Sequence, residues 1–399
     1  MHQLRRPARA RSLVVTAAAL ITVAGAPGPA STASGASPGS VPDLDRPALR
    51  AAVSGLPEGS VTAAQVRVTG SSGHWLGRGG VRDLVTGRPV PHDGRFRIAS
   101  ATKMFTAAIV LQLAHERRLN LDAPVQGYLP GLLPSAYPPI PVRSLLDHTS
   151  GLPRSTEDQG NGDPAHFVAH RFDYFTPRQV VATAADQPMV FEPGTAQQYN
   201  GVNYFVAGLL VERVTGRTFR HELGARILRP LRLTATALPA PGDPTVGGRH
   251  VHGYVTVDGV PVDVTAQSPY GWAESGVVST TSDLTRFLSA LLRGGIVPRP
   301  QHSELFRVPD VPYLGDDNCA RGPHAGRACF SAGLTRTELP GGTVVWGKSG
   351  SVPGTTTAAF ATRDLARTLV YAVYPTGNRD GSEGPRLQRI VEAAFMLRG

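Results

Sequence analysis

The strongest constraint in this sequence is a helix with no polar side. From Ser100 the chain runs through Met104, Phe105, Ile109, Val110, Leu111 and Leu113, which puts apolar residues on nearly every face of a 3.6-residue turn. Such a helix has to be enclosed on all sides. A chain of 399 residues can enclose it, and a composition of 41% hydrophobic and 18% charged residues is that of a globular protein, not of a disordered polyelectrolyte. Whatever stands on the first turn of this helix is therefore carried into the interior with it.

The flanking segments say what does the enclosing. Strands are expected over 60–69 and 75–80, on either side of the turn-rich Gly70-Ser71-Ser72-Gly73. The middle is helical and loop-rich. Five prolines fall between 130 and 141, Thr176-Pro177 supplies an N-cap and a first-turn proline, an amphipathic helix is expected over 203–213 ending at Gly216, and another over 282–294. Short strands follow over 330–339, 343–348, 355–361 and 368–374. A last helix carries Leu387, Ile390, Val391, Ala394 and Phe395 on one stripe fit to cover a sheet. The expectation is an α+β fold: residues 46–99 and 283–399 build a sheet domain with helices on it, and residues 100–282 form a mostly helical subdomain between them.

The first residues read as an export signal. Arg5, Arg6, Arg9 and Arg11 precede an apolar run over 13–26 and a small, Pro-rich stretch ending at Pro42, the order of charge, apolar core and small residues that such signals share. We place the signal and the start of a linker in 1–36 and the rest of the linker in 37–45. No later stretch reaches the ~18 apolar residues of a membrane span, so a secreted protein without stable membrane insertion is expected. Four of the ten surplus positive charges lie in the signal, and no basic cluster with interleaved aromatics appears, so nucleic acid is not an expected partner. In an oxidising compartment Cys319 and Cys329 should pair, closing a short loop and contributing about 2 kcal/mol.

The chemistry is carried by a scarcity. Of 40 basic residues, 38 are arginine, and the two lysines are Lys103 and Lys348. Arginine cannot lose its proton in a protein, whereas a desolvated lysine can act as a base or stay a compact point charge beside a nucleophile. Lys103 stands one helical turn after Ser100 in Ser100-Ala101-Thr102-Lys103, so its amine can reach the hydroxyl, and a serine needs such a partner to become a nucleophile. Lys348 begins Lys348-Ser349-Gly350 at the end of an apolar strand. The pattern Gly342-x4-Gly347-Lys348-Ser349 also satisfies a phosphate-loop expression, but Thr343, Val344, Val345 and Trp346 are strand formers and Pro353-Gly354 cannot open the helix such a loop needs.

Ser100-x-x-Lys103, a tyrosine motif at Tyr199 and Lys348-Ser349-Gly350 resemble, in order and spacing, the motifs of the penicillin-recognising serine hydrolases. The phrases Leu145 to Leu152, Pro193-Gly194, Ser279 to Leu284 and Gly347 to Gly354 are similar to the branch holding class C β-lactamases and secreted D-alanyl-D-alanine carboxypeptidases. The resemblance implies the β-lactamase/transpeptidase-like fold, an antiparallel sheet flanked by helices beside a helical subdomain. It implies Ser100 as the acylated nucleophile, Lys103 and Tyr199 as its proton-transfer partners with either able to be the base, and Lys348 and Ser349 as the groups that meet a substrate carboxylate. Backbone N–H groups of Ser100 and Ser351 would form the oxyanion hole. The family pattern is Tyr-x-Asn, whereas this chain has Tyr199-Asn200-Gly201, so glycine stands where an amide usually holds the lysine and binds the substrate's own amide. Asn200 is the expected substitute. Trp272 is a candidate for the cleft wall with the core as its alternative, and His148 is expected to be structural.

No Cys/His spacing suits zinc, no Gly-x-Ser-x-Gly elbow occurs after the linker, and no cofactor or metal is expected. The resemblance thus implies a D-alanyl-D-alanine carboxypeptidase-like hydrolase, monomeric, whose partner is a peptidoglycan stem peptide or a β-lactam. A β-lactamase or an esterase on the same scaffold is one alternative, and a non-catalytic binding module whose site has decayed at Gly201 is another.

Overall fold

The computed structural model describes residues 41–157 and 163–396. The expected export signal and the first part of the linker lie outside the described residues. Six antiparallel strands form the main sheet: β1 (Val61–Thr69), β2 (Trp75–Gly80), β3 (Thr335–Glu338), β4 (Val344–Val352), β5 (Thr355–Thr362) and β6 (Thr368–Pro375), in the spatial order β2-β1-β6-β5-β4-β3. The first strand of the chain thus lies beside the last, with Val68 opposite Leu369 and Ala64 opposite Val373.

Both faces of this sheet are covered, so that β5 and β6 are buried along their whole length and β1 along most of it. Successive side chains point to opposite faces. Ala64, Val66, Val68, Leu369, Tyr371 and Val373 join one core with helix α1 (Arg46–Val53) and the C-terminal helix Gly384–Phe395, whose Leu387, Ile390, Val391, Ala394 and Phe395 are all buried there. Ala63, Ala359, Ala361, Val370 and Ala372 face the other way, into the larger core that holds the central helices. These are α2 (Thr102–His115), α3 (Pro177–Ala185), α4 (Val202–Thr215) and α5 (Thr281–Leu292).

Helix α2 is the enclosed helix of the sequence, with every residue from Thr102 to Leu111 buried, Lys103 included. Helix α3 starts at a capping box between Thr176 and Gln179 with Pro177 in its first turn. Helix α4 ends at Gly216 in the left-handed conformation, but it is not amphipathic as expected. Val202 through Val211 are all buried, because the helix runs through the larger core beside α2, and the amide it carries there, Asn203, is satisfied internally by Ser150 and His148. Among the described residues no helix is long and apolar enough to cross a membrane.

The register of the sheet prepares the site. β3 pairs with β4 only from Val344 to Gly347, while β5 follows β4 to Val352. From Lys348 onward one edge of β4 therefore has no strand beside it. The start of α2 fills that side. An ideal Cβ on Gly350 would lie 2.4 Å from the Ile98 carbonyl oxygen and 2.8 Å from the Ser100 nitrogen, so only glycine allows β4 to approach the Ser100 segment this closely.

Candidate active site

Ser100 lies in a single tight turn, Ala99–Ala101, between the short strand Phe96–Arg97 and α2. Ala99 takes the left-handed conformation, φ 47°, uncommon for a residue with a Cβ, and the chain reverses there so that Ser100 lines a cleft of about 260 Å³ between the helices and β4. One turn on, the Lys103 ammonium donates to Ser100 Oγ at 3.1 Å. Tyr199 reaches the same atom, its hydroxyl donating at 2.8 Å. Lys348 comes from β4, its Nζ 4.8 Å from the centre of the Tyr199 ring and donating to the Ser349 carbonyl at 3.1 Å. The four residues singled out by spacing thus converge, although residues 100 and 348 are far apart in the chain.

Tyr199 is held by its neighbours in sequence. Gln197, fully buried, accepts from the Cys329 and Phe330 N–H groups and donates to the Asp147 and Phe330 carbonyls. The segment 310–330 that receives it is cross-linked by the Cys319–Cys329 disulfide, with Cα atoms 5.6 Å apart. The Tyr199 ring rests against His148 and Phe330. His148 is buried and accepts on Nδ1 from the Asn200 N–H. Burial, then the charges of Lys103 and Lys348, push its pKa well below the usual histidine range, so it is a neutral, packed support, in line with the expected structural role.

Two expected residues are placed elsewhere. Asn200 spends its side chain on the local turn, donating to the Leu152 and Pro153 carbonyls and accepting from the Val202 N–H. With its donors and acceptor engaged there, it cannot stand in for the amide missing at 201. Trp272 packs its ring against Phe219 in the helical core, and an ideal Cβ on Gly208 would fall 2.5 Å from it. The ring is thus half-buried against the core, and the cleft is lined instead by Gly271, Glu274 and Ser275 on either side of it.

Glu274 is the residue that sequence reasoning missed. It belongs to the one-turn helix Trp272–Ser275, which is tied to α2 by two buried bonds: Thr106 Oγ1 donates to the Ala273 carbonyl, and the Val277 N–H donates to Thr102 Oγ1. That clamp lays the Glu274 carboxylate against the Lys103 ammonium and 3.5 Å from Ser100 Oγ. The available signal was Gly201, since a side chain lost from a packed site leaves a volume that something else must fill. Arg379, which also lines the cleft, went unnoticed for lack of any motif.

The charges order themselves accordingly. Burial would push Lys103 toward the neutral amine, but the Glu274 carboxylate, the Tyr199 oxygen and the hydrogen bonds outweigh it and its pKa is raised. Burial raises Tyr199, yet Lys103 and Lys348 on either side bring it below the ordinary phenol value. Burial dominates at Lys348, whose pKa is lowered. Glu274 is pushed up by burial and pulled down further by Lys103, so it stays a carboxylate. Among the described residues no group of three or more His, Cys, Asp or Glu side chains is arranged to hold a metal.

A serine hydroxyl bonded by both a lysine and a tyrosine, with a second lysine at an open strand edge, is an arrangement suited to acyl-serine chemistry. The chain belongs to the β-lactamase family, whose model matches residues 49–394. The structure of a D-stereospecific amidohydrolase from Streptomyces sp. superposes with a TM-score of 0.75 at 30% identity, covering 88% of this chain and 98% of that one. Esterase EstB of Burkholderia gladioli is 34% identical over 159 residues, 38% of this chain and 40% of the esterase. Penicillin-binding protein 4 of Amycolatopsis lactamdurans is 30% identical over 227 residues, 55% of this chain and 56% of that protein. The chain thus spans about half the length of the latter two.

Proposed function

We propose that this protein hydrolyses an amide bond through an acyl-enzyme on Ser100. The observation that carries the reading is the double hydrogen bond on one oxygen: Tyr199 and Lys103 both donate to Ser100 Oγ inside the cleft. A serine so held can pass its proton to the pair as Oγ attacks a carbonyl carbon, and the leaving amine takes that proton as the C–N bond breaks. Water then releases the acyl group. The Ser100 and Ser351 N–H groups are the donors for the oxyanion, and Gly350 supports this by bringing β4 against the Ser100 nitrogen.

For the substrate we propose a D-residue whose carbonyl is attacked, as in a peptide ending in D-alanyl-D-alanine, with Lys348 and Ser349 meeting the terminal carboxylate. The similarity over nearly the whole fold to an amidohydrolase named for D-stereospecificity supports both the amide and the configuration. An ester or a β-lactam asks for the same acylation step, and the esterase similarity favours keeping the ester as a second reading. The intact hydrogen bonding around Ser100 speaks against a decayed, non-catalytic module. We further propose that the protein works outside the cell, a reading supported by the disulfide.

Mass spectrometry after mixing with labelled penicillin, a D-amino acid amide, a D-alanyl-D-alanine peptide and a short-chain ester tests this. Covalent addition at Ser100, lost in Ser100→Ala, is expected, with turnover fastest for an amide of a D-residue. No adduct from any of the four, or undiminished labelling of Ser100→Ala, would overturn the assignment.

A further inference from the structure

Gly201 is the departure from the family motif, and its backbone gives no reason for it. The residue sits at the N-cap of α4 with φ −65° and ψ −33°, ordinary right-handed values open to any amino acid. Space is what disfavours a side chain. An ideal Cβ on Gly201 would lie 3.2 Å from Glu274 Oε1 and 3.3 Å from both Cδ and Cγ, closer than ordinary carbon contacts. The volume a side chain at 201 would enter already holds the Glu274 carboxylate.

That carboxylate does something specific there. A lysine ammonium has three N–H donors and no acceptor. Lys103, fully buried, has three oxygens around it: Ser100 Oγ at 3.1 Å, the Glu274 carbonyl at 3.3 Å and Glu274 Oε1. Two of the three belong to Glu274, and one of those is an anion. The other charged and titratable groups facing this pair are Tyr199 and Tyr204, whose ring centres lie 5.1 and 5.5 Å from Nζ, the buried His148 packed against both tyrosines, and Lys348 on β4 beyond Tyr199. Arg379, from the segment after β6, acts on the carboxylate at longer range.

Building on the acyl-serine reading, we propose that Glu274 takes both the place and the lysine-holding task of the side chain missing at 201, and that as an anion it fixes Lys103 as a permanent ammonium. Proton transfer then falls to Tyr199. Once the Tyr199 hydroxyl has released its proton to solvent, the phenolate takes the proton from Ser100 Oγ as the Oγ–C bond forms and the carbonyl electrons move onto oxygen. The tyrosine hydroxyl returns that proton to the leaving nitrogen as the C–N bond breaks. In deacylation a water gives its proton to the Tyr199 phenolate and its oxygen to the acyl carbon, and Ser100 Oγ recovers the proton as the ester C–O bond breaks. Lys103 keeps all three protons throughout, and Glu274 acts through it as a positioning residue. The two sites are a linked exchange: glycine at 201 is tolerated because of Glu274, and Glu274 fits because of glycine.

The scarcity of lysine makes this directly measurable. Protein grown with lysine labelled with 13C at Cε and 15N at Nζ gives signals from Lys103 and Lys348 alone, and their shifts report protonation without any substrate. In the native protein the Lys103 signal should stay at the ammonium position from pH 5 to pH 9, and in the isosteric Glu274→Gln it should titrate at lower pH. A native Lys103 that loses its proton near neutrality, or an unchanged titration in Glu274→Gln, would overturn the proposal. This holds even if no substrate acylates Ser100, so the failure of the hydrolase reading is separately visible.

Acylation rates supply the second arm. Gly201→Asn with Glu274 in place should slow acylation at least about tenfold, because the new amide meets the carboxylate. Glu274→Ala should slow it comparably. The double variant Gly201→Asn/Glu274→Ala should recover most of the loss, a strong coupling between contacting sites. An unimpaired Gly201→Asn, or losses that simply multiply in the double variant, would contradict the exchange.

Discussion

Lys103 and Lys348 are buried to nearly the same degree on two sides of Tyr199, yet the two walls treat them differently. The helical wall surrounds Lys103 with oxygens and a carboxylate, and its pKa rises. The sheet wall gives Lys348 the Ser349 carbonyl and the face of the Tyr199 ring, and there desolvation prevails and its pKa falls. The helical wall is thus electrostatically finished before any substrate arrives, whereas the sheet wall carries a cation that an incoming carboxylate would stabilise. Under the proposed acyl-serine reading, proton chemistry would belong to the first wall and recognition to the second.

The contrast between the walls breaks most sharply on paired substitutions. Lys103→Arg should reduce acylation by about a thousandfold or more, since a guanidinium is too large for the fully enclosed site and displaces the Glu274 contact. Single-turnover acylation of the purified variant checks this, and a mild loss would mean that the helical wall is not shaped around an ammonium. A smaller effect, on stability, tests what that wall costs. Burial, opposed by Thr149 and by Arg307 and Arg143, raises Asp147 from 3.8 to about 6. A carboxyl that binds its proton more tightly when folded contributes stability that is complete below the unfolded value and lost as pH rises through the folded one. Asp147→Asn, which mimics the protonated form, should therefore match the native protein near pH 4 and exceed it at pH 8 by up to about 3 kcal/mol. Denaturant melts at the two pH values read the difference, and equal gains at both would refute desolvation of the carboxylate as the cause. The smallest change is expected at the sheet wall. Lys348→Arg keeps a cation that can meet a carboxylate and should lose about 1–2 kcal/mol of transition-state binding, seen in kcat/KM for a peptide with a free C-terminus. Equal damage from the two arginine substitutions would erase the distinction between the walls.

Much of this site was legible because its chemistry is written in local spacing. Ser100 and Lys103 lie one helical turn apart on the helix whose apolar character fixes its burial, and Lys348-Ser349-Gly350 ends an apolar strand. The pairing of the cysteines and the stripe on the last helix were equally local. What failed to show were relations between segments. Trp272 and Glu274 are two residues apart on one short turn, and which of them faces the cleft is decided by Gly208 receiving the indole and Gly201 receiving the carboxylate. Asn200 looked like a substitute because it is adjacent to the gap, but its geometry answers to Leu152, Pro153 and Val202. The amphipathic reading of α4 failed because Asn203 looks like a surface residue until Ser150 and His148 close over it.

The pairing of β1 with β6 also governs when the protein comes into being. Thr62 Oγ1 donates to the carbonyl of Tyr374, 312 residues later, and among the described residues no nearer segment pairs with that edge of β1. A chain emerging in order can therefore pair β1 with β2 early but holds its other edge open until almost the whole sequence has followed, a long-range pairing that slows folding and is open to aggregation meanwhile. The cleft wall made by β4 is registered on β5, and β5 on β6, so an incomplete chain carries its serine on a helix that faces nothing. Assembly is closer to the shutting of a clasp than to growth from one end, and a lesion in the last strand is felt first at the centre.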